Sequence, residues 1–182
     1  MTGALYFLCE TLGNLVLLFF ILRFWLPLFR ADFRNPISQT ILRFTSPLIN
    51  QARRFAPSIG KLDTATILIT YTLQYLLILV LTLISQKDVS NTLILITAFF
   101  EIALASADLF FFAILINVLL SWLAPFSYSP LKSLVENITE PLLRPYRKMF
   151  NPIGGLDFSP LLAIIAIQAV TIFLRNTAPM HI

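Results

Sequence analysis

TSPLINQARRFAPSIGKLD, residues 45–63, recurs 94 residues later as TEPLLRPYRKMFNPIGGLD, residues 139–157, and 8 of the 19 positions are identical without a gap. The shared residues are Thr, Pro, Leu, Arg, Ile, Gly, Leu and Asp, in that order. A long apolar segment flanks each copy on both sides. So long a period, bounded by segments of membrane length, argues for two similar membrane hairpins packed together rather than for a solenoid. Working outward, the duplication divides the chain into a first repeat over residues 1–88 and a second over residues 89–182.

Composition places this duplication in a bilayer. The chain is 58% hydrophobic and 12% charged, with a mean hydropathy of +0.84, too apolar for an ordinary soluble domain. The hydropathy predicts four spans, since about 20 apolar residues cross the hydrocarbon core. They run from Leu5 to Phe29, Thr64 to Ser85, Ala105 to Leu123 and Ser159 to Phe173. The first is read as retained rather than cleaved, because no Lys or Arg precedes it, Glu10 interrupts it and bulky RFWLPLF follows. The segment Asn91–Leu123 is 33 residues long. As one helix it would measure about 50 Å against a core of about 30 Å. It must tilt, break or project, and the reading favoured is a projecting or re-entrant stretch over residues 91–104.

The net charge of +4 is unevenly spread: 11 of the 13 basic residues lie between Arg23 and Lys61 or between Lys132 and Lys148. These are the first and third connections. The positive-inside rule puts both on the cytoplasmic side and both termini outside. Each repeat then holds two spans, so the repeats are parallel. The fold class expected is an all-α membrane protein of four transmembrane helices, each repeat being a helix, an interfacial amphipathic helix-turn and a second helix.

Both connections carry helical periodicity. Ile37, Ile41, Phe44, Leu48, Ala52 and Phe55 recur at helical spacing in the first, as do Leu131, Leu134, Ile138, Leu142, Tyr146 and Met149 in the second. Pro47 and Pro141 fall inside these patterns and predict a break in each helix. Gly60 and the Gly154-Gly155 pair permit a sharp reversal. Asp63 with Thr64, and Asp157 with Ser159 and Pro160, resemble helix starts. The two aspartates have two structural readings: capping the following helix, or pairing with Arg53 and Arg147 to lock each connection to its span.

Candidate chemistry is sparse. Glu10, Asn14, Glu101 and Asp108 are polar groups in or near the membrane, where ionisable side chains are costly. Glu10, Asn14 and Asp108 could form a cluster that binds a cation or relays a proton; the alternative is interfacial water and interhelical hydrogen bonds. Arg23, Trp25 and Trp122 read as interfacial anchors, with the arginine head reaching to water. Arg53, Arg54, Arg144, Arg147 and Lys148 form a basic cluster suited to anionic lipid headgroups or to a protein partner. Nucleic acid fits poorly, since the clusters are short and lie against the membrane. The chain lacks a phosphate-binding loop, HExxH, GxSxG and a potassium-filter motif. Its lone cysteine, Cys9, precludes an intramolecular disulfide, and its lone histidine, His181, precludes two-histidine haem ligation within one chain. No catalytic, cofactor or metal site is expected.

The order RFWLPLF with NPIS, TSPLINQARRFAPSIGKLD, span, SWLAPF, TEPLLRPYRKMFNPIGGLDFSP and a final span resembles the YggT family of small bacterial membrane proteins over nearly the whole chain. PLLRPYRK and GGLDFSP match the family pattern best, at Pro141–Lys148 and Gly154–Pro160. The first copy departs from it, with Asn50-Gln51 in place of Arg144-Pro145 and Thr64-Ala65-Thr66 in place of Phe158-Ser159-Pro160. The resemblance extends to YlmG-type relatives of Gram-positive bacteria, cyanobacteria and plastids. It implies envelope or division-related processes, nucleoid distribution in plastids, or assembly of the cytochrome b/f complex, and so a place and a shape more than a mechanism. Two functional classes stay open: a non-catalytic scaffold or assembly factor, and a small oligomeric channel or transporter component linked to osmotic or cation stress, with Asn14 and Asp108 along the path.

Overall fold

The computed structural model describes residues 2–59, 62–123, 128–149 and 157–180, and those residues form six helices and no strand. They are α1 (Thr2–Leu28), α2 (Pro36–Ala52), α3 (Thr64–Ile84), α4 (Asn91–Leu123), α5 (Pro130–Met149) and α6 (Ser159–Thr177). The fold is all-α, and α1, α3, α4 and α6 are long and apolar enough to cross a membrane. The pairs α1/α3 and α4/α6 make the two largest helix interfaces. Gly13 is what lets α1 approach α3 closely, because a Cβ there would run into the Leu77 side chain. α2 packs its Ile49 with Phe20 of α1 and Ala65 of α3, and α5 packs Leu143 with Ile114 of α4 and Ala163 of α6.

Local sequence explains the helix ends. Asn35 caps α2 by accepting the Ile37 N–H through its side chain, and Pro36 follows at the first turn, where its missing N–H costs nothing. α1 stops in a six-to-one turn: the Ala31 N–H bonds the Leu26 carbonyl and the Arg30 N–H that of Pro27, with Arg30 at φ 54°. Leu26 and Ala31 are both buried in one cluster, the hydrophobic contact that accompanies this stop. Gln86, at φ 52°, ends α3 the same way, through Gln86 N–H to Leu83 and Lys87 N–H to Thr82.

Three expectations need correction. First, of the two readings for residues 91–104 the re-entrant one falls, since α4 is one unbroken helix of 33 residues; projection stays compatible with it. Ile94 and Ala98 are buried against Ile78, Tyr71 and Tyr75 of α3 and against Met180, and the Tyr71 hydroxyl donates to the Leu95 carbonyl at 2.6 Å. The extra length is stabilised by packing along α3, which a hydropathy window cannot see.

Second, α2 runs through Pro47, and α5 runs through both Pro141 and Pro145. Side-chain hydrogen bonds reinforce the turn before each first proline. In α2, Thr45 Oγ1 donates to the Ile41 carbonyl at 2.7 Å and Ser46 Oγ to that of Leu42 at 2.5 Å. In α5, Thr139 Oγ1 donates to the Val135 carbonyl at 2.9 Å. The cost of an interior proline is local, and these bonds hold the backbone where it would otherwise open.

Third, the apolar stripe of α2 splits between two faces. Ser38, Ile41, Thr45, Ile49 and Ala52 are buried, whereas Phe44, Leu48 and Phe55 are exposed. On α5, Leu134, Val135, Ile138, Thr139 and Leu143 are buried, while Leu131 and Met149 are exposed. Each connection helix thus has a core face and further apolar side chains left exposed.

Candidate functional site

The two connections converge on one side of the spans, and their ends repeat one ionic device. Arg53, just past α2, donates from Nη2 to Asp63 Oδ2 at 2.6 Å, while Asp63 Oδ1 accepts the Thr66 N–H at 3.4 Å at the start of α3. Arg147, in the last turn of α5, donates from Nε to Asp157 Oδ2 at 2.9 Å and from Nη1 to Glu140 Oε2. Asp157 Oδ1 accepts the Ser159 N–H at 2.9 Å, with Pro160 in the first turn of α6. Capping and ion pairing are therefore not alternatives at Asp63, which uses one oxygen for each; Asp157 pairs with Arg147 and accepts the first N–H of α6 from the residue before its N-cap, Phe158. Burial pushes the Asp63 carboxyl up, but hydrogen bonds from Arg53 and Thr66 outweigh it and hold the group below its ordinary range. Burial likewise opposes the hydrogen bonds from Ser159 and Arg147 at Asp157, and again the net shift is downward. Desolvation is also overcome at Arg147, whose two carboxylates raise it further above its already high value.

Of the basic cluster, Arg53 and Arg147 are thus tied into the fold. Arg54, Arg144 and Lys148 are exposed, with no ion pair among the described residues. Gly60, Gly154 and Gly155 lie outside the described residues. Pro47 and Pro141 are exposed within their helices rather than at corners.

Glu10, Asn14 and Asp108 are not joined by a hydrogen bond or ion pair among the described residues. Trp25 donates from Nε1 to Ser106 Oγ at 3.2 Å, stacks on Phe29 at 5.3 Å and meets the edge of Phe110 at 4.8 Å. Asp108, between Ser106 and Phe110, therefore sits near the level of Trp25. Asn14 is three turns earlier on α1, on the order of 16 Å along the axis, and Glu10 is one turn beyond it. Asn14 is exposed; Glu10, Glu101 and Asp108 are half-buried. Among the described residues no three of His, Cys, Asp and Glu come together to hold a metal ion. The expected cluster of Glu10, Asn14 and Asp108 is not formed within one chain: Asp108 sits near the level of Trp25, far along α1 from Asn14 and Glu10.

Arg23 was also misjudged from sequence. It is 5% exposed, with its head turned to α2. Its Nη1 donates to the Leu42 carbonyl at 3.1 Å, to Thr45 Oγ1 at 2.8 Å and to Ser46 Oγ at 3.1 Å, clamping the turn before Pro47. Its Nε has no partner among the described residues. Asn117 holds the corresponding place on α4: its Nδ2 donates to Thr139 Oγ1 at 3.0 Å, before Pro141. Residues 23 and 117, like 45 and 139, are 94 apart. Extending the offset outward from the repeated stretch into the spans was the signal that could have found this pair. Trp25 is likewise an inward packing residue rather than a headgroup anchor, whereas Trp122 is 74% exposed.

The same offset recurs in comparisons with known proteins. The sequence model of the CCB3/YggT family matches residues 2–84 and again residues 96–178. An uncharacterized protein of Pseudomonas aeruginosa is 42% identical over 177 residues, covering 96% of this chain and 89% of that one. A protein of Vibrio alginolyticus, described only by its position beside proC, is 40% identical over 164 residues, covering 89% and 88%. The uncharacterized protein YggT of Escherichia coli K12 is 31% identical over 169 residues, covering 92% and 87%. No solved structure matches the chain. With both halves of the chain matched at one offset and its relatives aligned almost end to end, this membrane protein belongs to the CCB3/YggT family.

Proposed function

We propose that the chain is a non-catalytic scaffold or assembly factor of the bacterial inner membrane, acting in envelope, division-related or membrane-complex biogenesis. In this reading residues 1–88 and 89–182 are two parallel repeats, the basic connections face the cytoplasm and both termini lie outside. The single observation that carries it is the division of labour among the bases. Arg53 and Arg147 fasten each connection to its span, which leaves Arg54, Arg144 and Lys148 exposed on a braced surface. The same two connections also expose Phe44, Leu48, Phe55 and Met149. A basic surface with an apolar flank suits anionic headgroups, at about 1 kcal/mol per base near the membrane, and a membrane-protein partner docked over them.

Partner capture by crosslinking in native membranes tests this, comparing the unmodified chain with an Arg54→Gln/Arg144→Gln/Lys148→Gln variant. Sparing Arg53 and Arg147 keeps both ion pairs, so loss of a partner reports the surface and not a loosened fold. A reproducible partner lost in the variant supports the scaffold. Only self-crosslinks, persisting in the variant, would instead favour a homo-oligomeric channel. That second reading requires Asn14 and Asp108 to meet across chains, and Asp108→Asn should then abolish function.

A further inference from the structure

An apolar groove of about 560 Å³ separates the two halves of the molecule. Trp25 of α1, Ile67 of α3, Ala103 of α4, Tyr146 of α5, and Ala166 and Val170 of α6 are among the side chains that line it. It exists because α3 and α6 share no packed interface, while α4 packs on both. Residues 99–110 of α4 run along its floor, about 16 Å, or roughly half of a hydrocarbon core of about 30 Å. The groove is one leaflet deep. Water gains little in so apolar a space, and an unfilled one forfeits dispersion contacts along its walls.

The polar end of the groove is defined. Ile67 is one turn from Asp63, which pairs with Arg53, and Tyr146 precedes Arg147, which pairs with Asp157. Both ion pairs therefore stand at the connection end, with Arg54 and Lys148 close in sequence and without acidic partners among the described residues. We propose that this groove seats one acyl chain of an anionic phospholipid from the leaflet on the connection side, its headgroup held beside the ends of α2 and α5. The apolar walls account for the chain, and the bases at the mouth account for the headgroup charge. The site shares Arg54 and Lys148 with the surface of the scaffold reading and deepens its lipid contact, but it needs no protein partner.

Trp25 reports on the site directly. The chain has two tryptophans, so Trp122→Phe leaves Trp25 as the single emitter. The full chain in detergent micelles is titrated with phosphatidylglycerol brominated in mid-chain, and in parallel with the matching phosphatidylcholine. The expected result is a saturable loss of most Trp25 emission at one lipid per chain, at lower concentration for phosphatidylglycerol. Ala166→Phe and, separately, Ala103→Phe fill the groove from one wall and from its floor and should abolish the saturable loss while the helical circular dichroism is kept. The proposal is overturned if emission falls only in proportion to bulk lipid, if phosphatidylcholine saturates as early, or if both filled variants quench like the parent.

Discussion

Replacing Arg23 by Met keeps the apolar stem and removes the guanidinium that clamps α2 to α1. Three contacts that share the two protons of Nη1 are lost. Interhelical bonds in membrane proteins average about 0.6 kcal/mol, so the set is worth about 1–2 kcal/mol. Two features keep the loss from being larger. Thr45 and Ser46 retain their own bonds to the Ile41 and Leu42 carbonyls, so no hydroxyl is orphaned. The substitution also relieves the burial of a charge whose Nε has no partner. The corresponding change on α4, Asn117→Leu, removes the single bond to Thr139 and should cost about 0.6 kcal/mol. The assay is reversible unfolding in mixed micelles as the mole fraction of dodecyl sulfate rises, followed by helical circular dichroism. Arg23→Met should lower the folding equilibrium constant by up to about 30-fold. If Arg23→Met is as stable as the parent chain, desolvation outweighs the clamp; if Asn117→Leu costs as much, the bond count is the wrong explanation. Either result would falsify the argument.

The two aspartates make stability depend on acid. Their carboxyls sit below the ordinary value of about 3.9 in the fold, so the stabilisation is present above that value and is lost as pH falls through the lower folded value. Thermal unfolding at neutral pH and near pH 3 should show that loss in the parent and a smaller one in an Asp63→Asn/Asp157→Asn chain; equal losses would assign the acid sensitivity to other groups. Gly13→Val should destabilise by about 1–3 kcal/mol through overpacking against Leu77, and Leu77→Ala in the same chain should restore much of it, checked by the same unfolding series. Single cysteines placed at Arg54 and Phe44 in a Cys9→Ala background should differ in labelling by a membrane-impermeant maleimide. Position 54 reacts and position 44 is shielded by lipid; equal labelling would place the second apolar face of α2 in water.

The four spans and the helix ends were legible because their causes are local. A run of about 20 apolar side chains needs a bilayer whatever packs beside it. Asp63 and Asp157 act on N–H groups two and three residues away, and Asn35 and Pro36 start α2 by the same short-range chemistry. The repeated stretch likewise placed Arg53 and Arg147 ten residues before their aspartates, which is near enough for pairing to be foreseen. Neither local rule could say that one carboxylate would serve as cap and ion-pair acceptor together.

Contacts between distant segments decided the rest. α1 and α4 are apolar nearly all round, so their sequences do not distinguish the face toward protein from the face toward lipid. Only packing shows that Arg23 turns inward to Thr45, that Trp25 meets Ser106, and that Phe44 and Leu48 stay outside while Ile41 and Ile49 are buried. Proline rules judged Pro47 and Pro141 by their own backbone, whereas each helix continues through a turn braced from a neighbouring span by Arg23 or Asn117. Sequence alone determined that this chain is a duplicated four-span membrane protein with basic connections, because hydropathy, charge and capping act over a few residues. Tertiary structure alone decided which polar groups meet, that Asn14 and Asp108 do not, and that a lipid-sized groove separates the halves, because these depend on how helices cross and at what level.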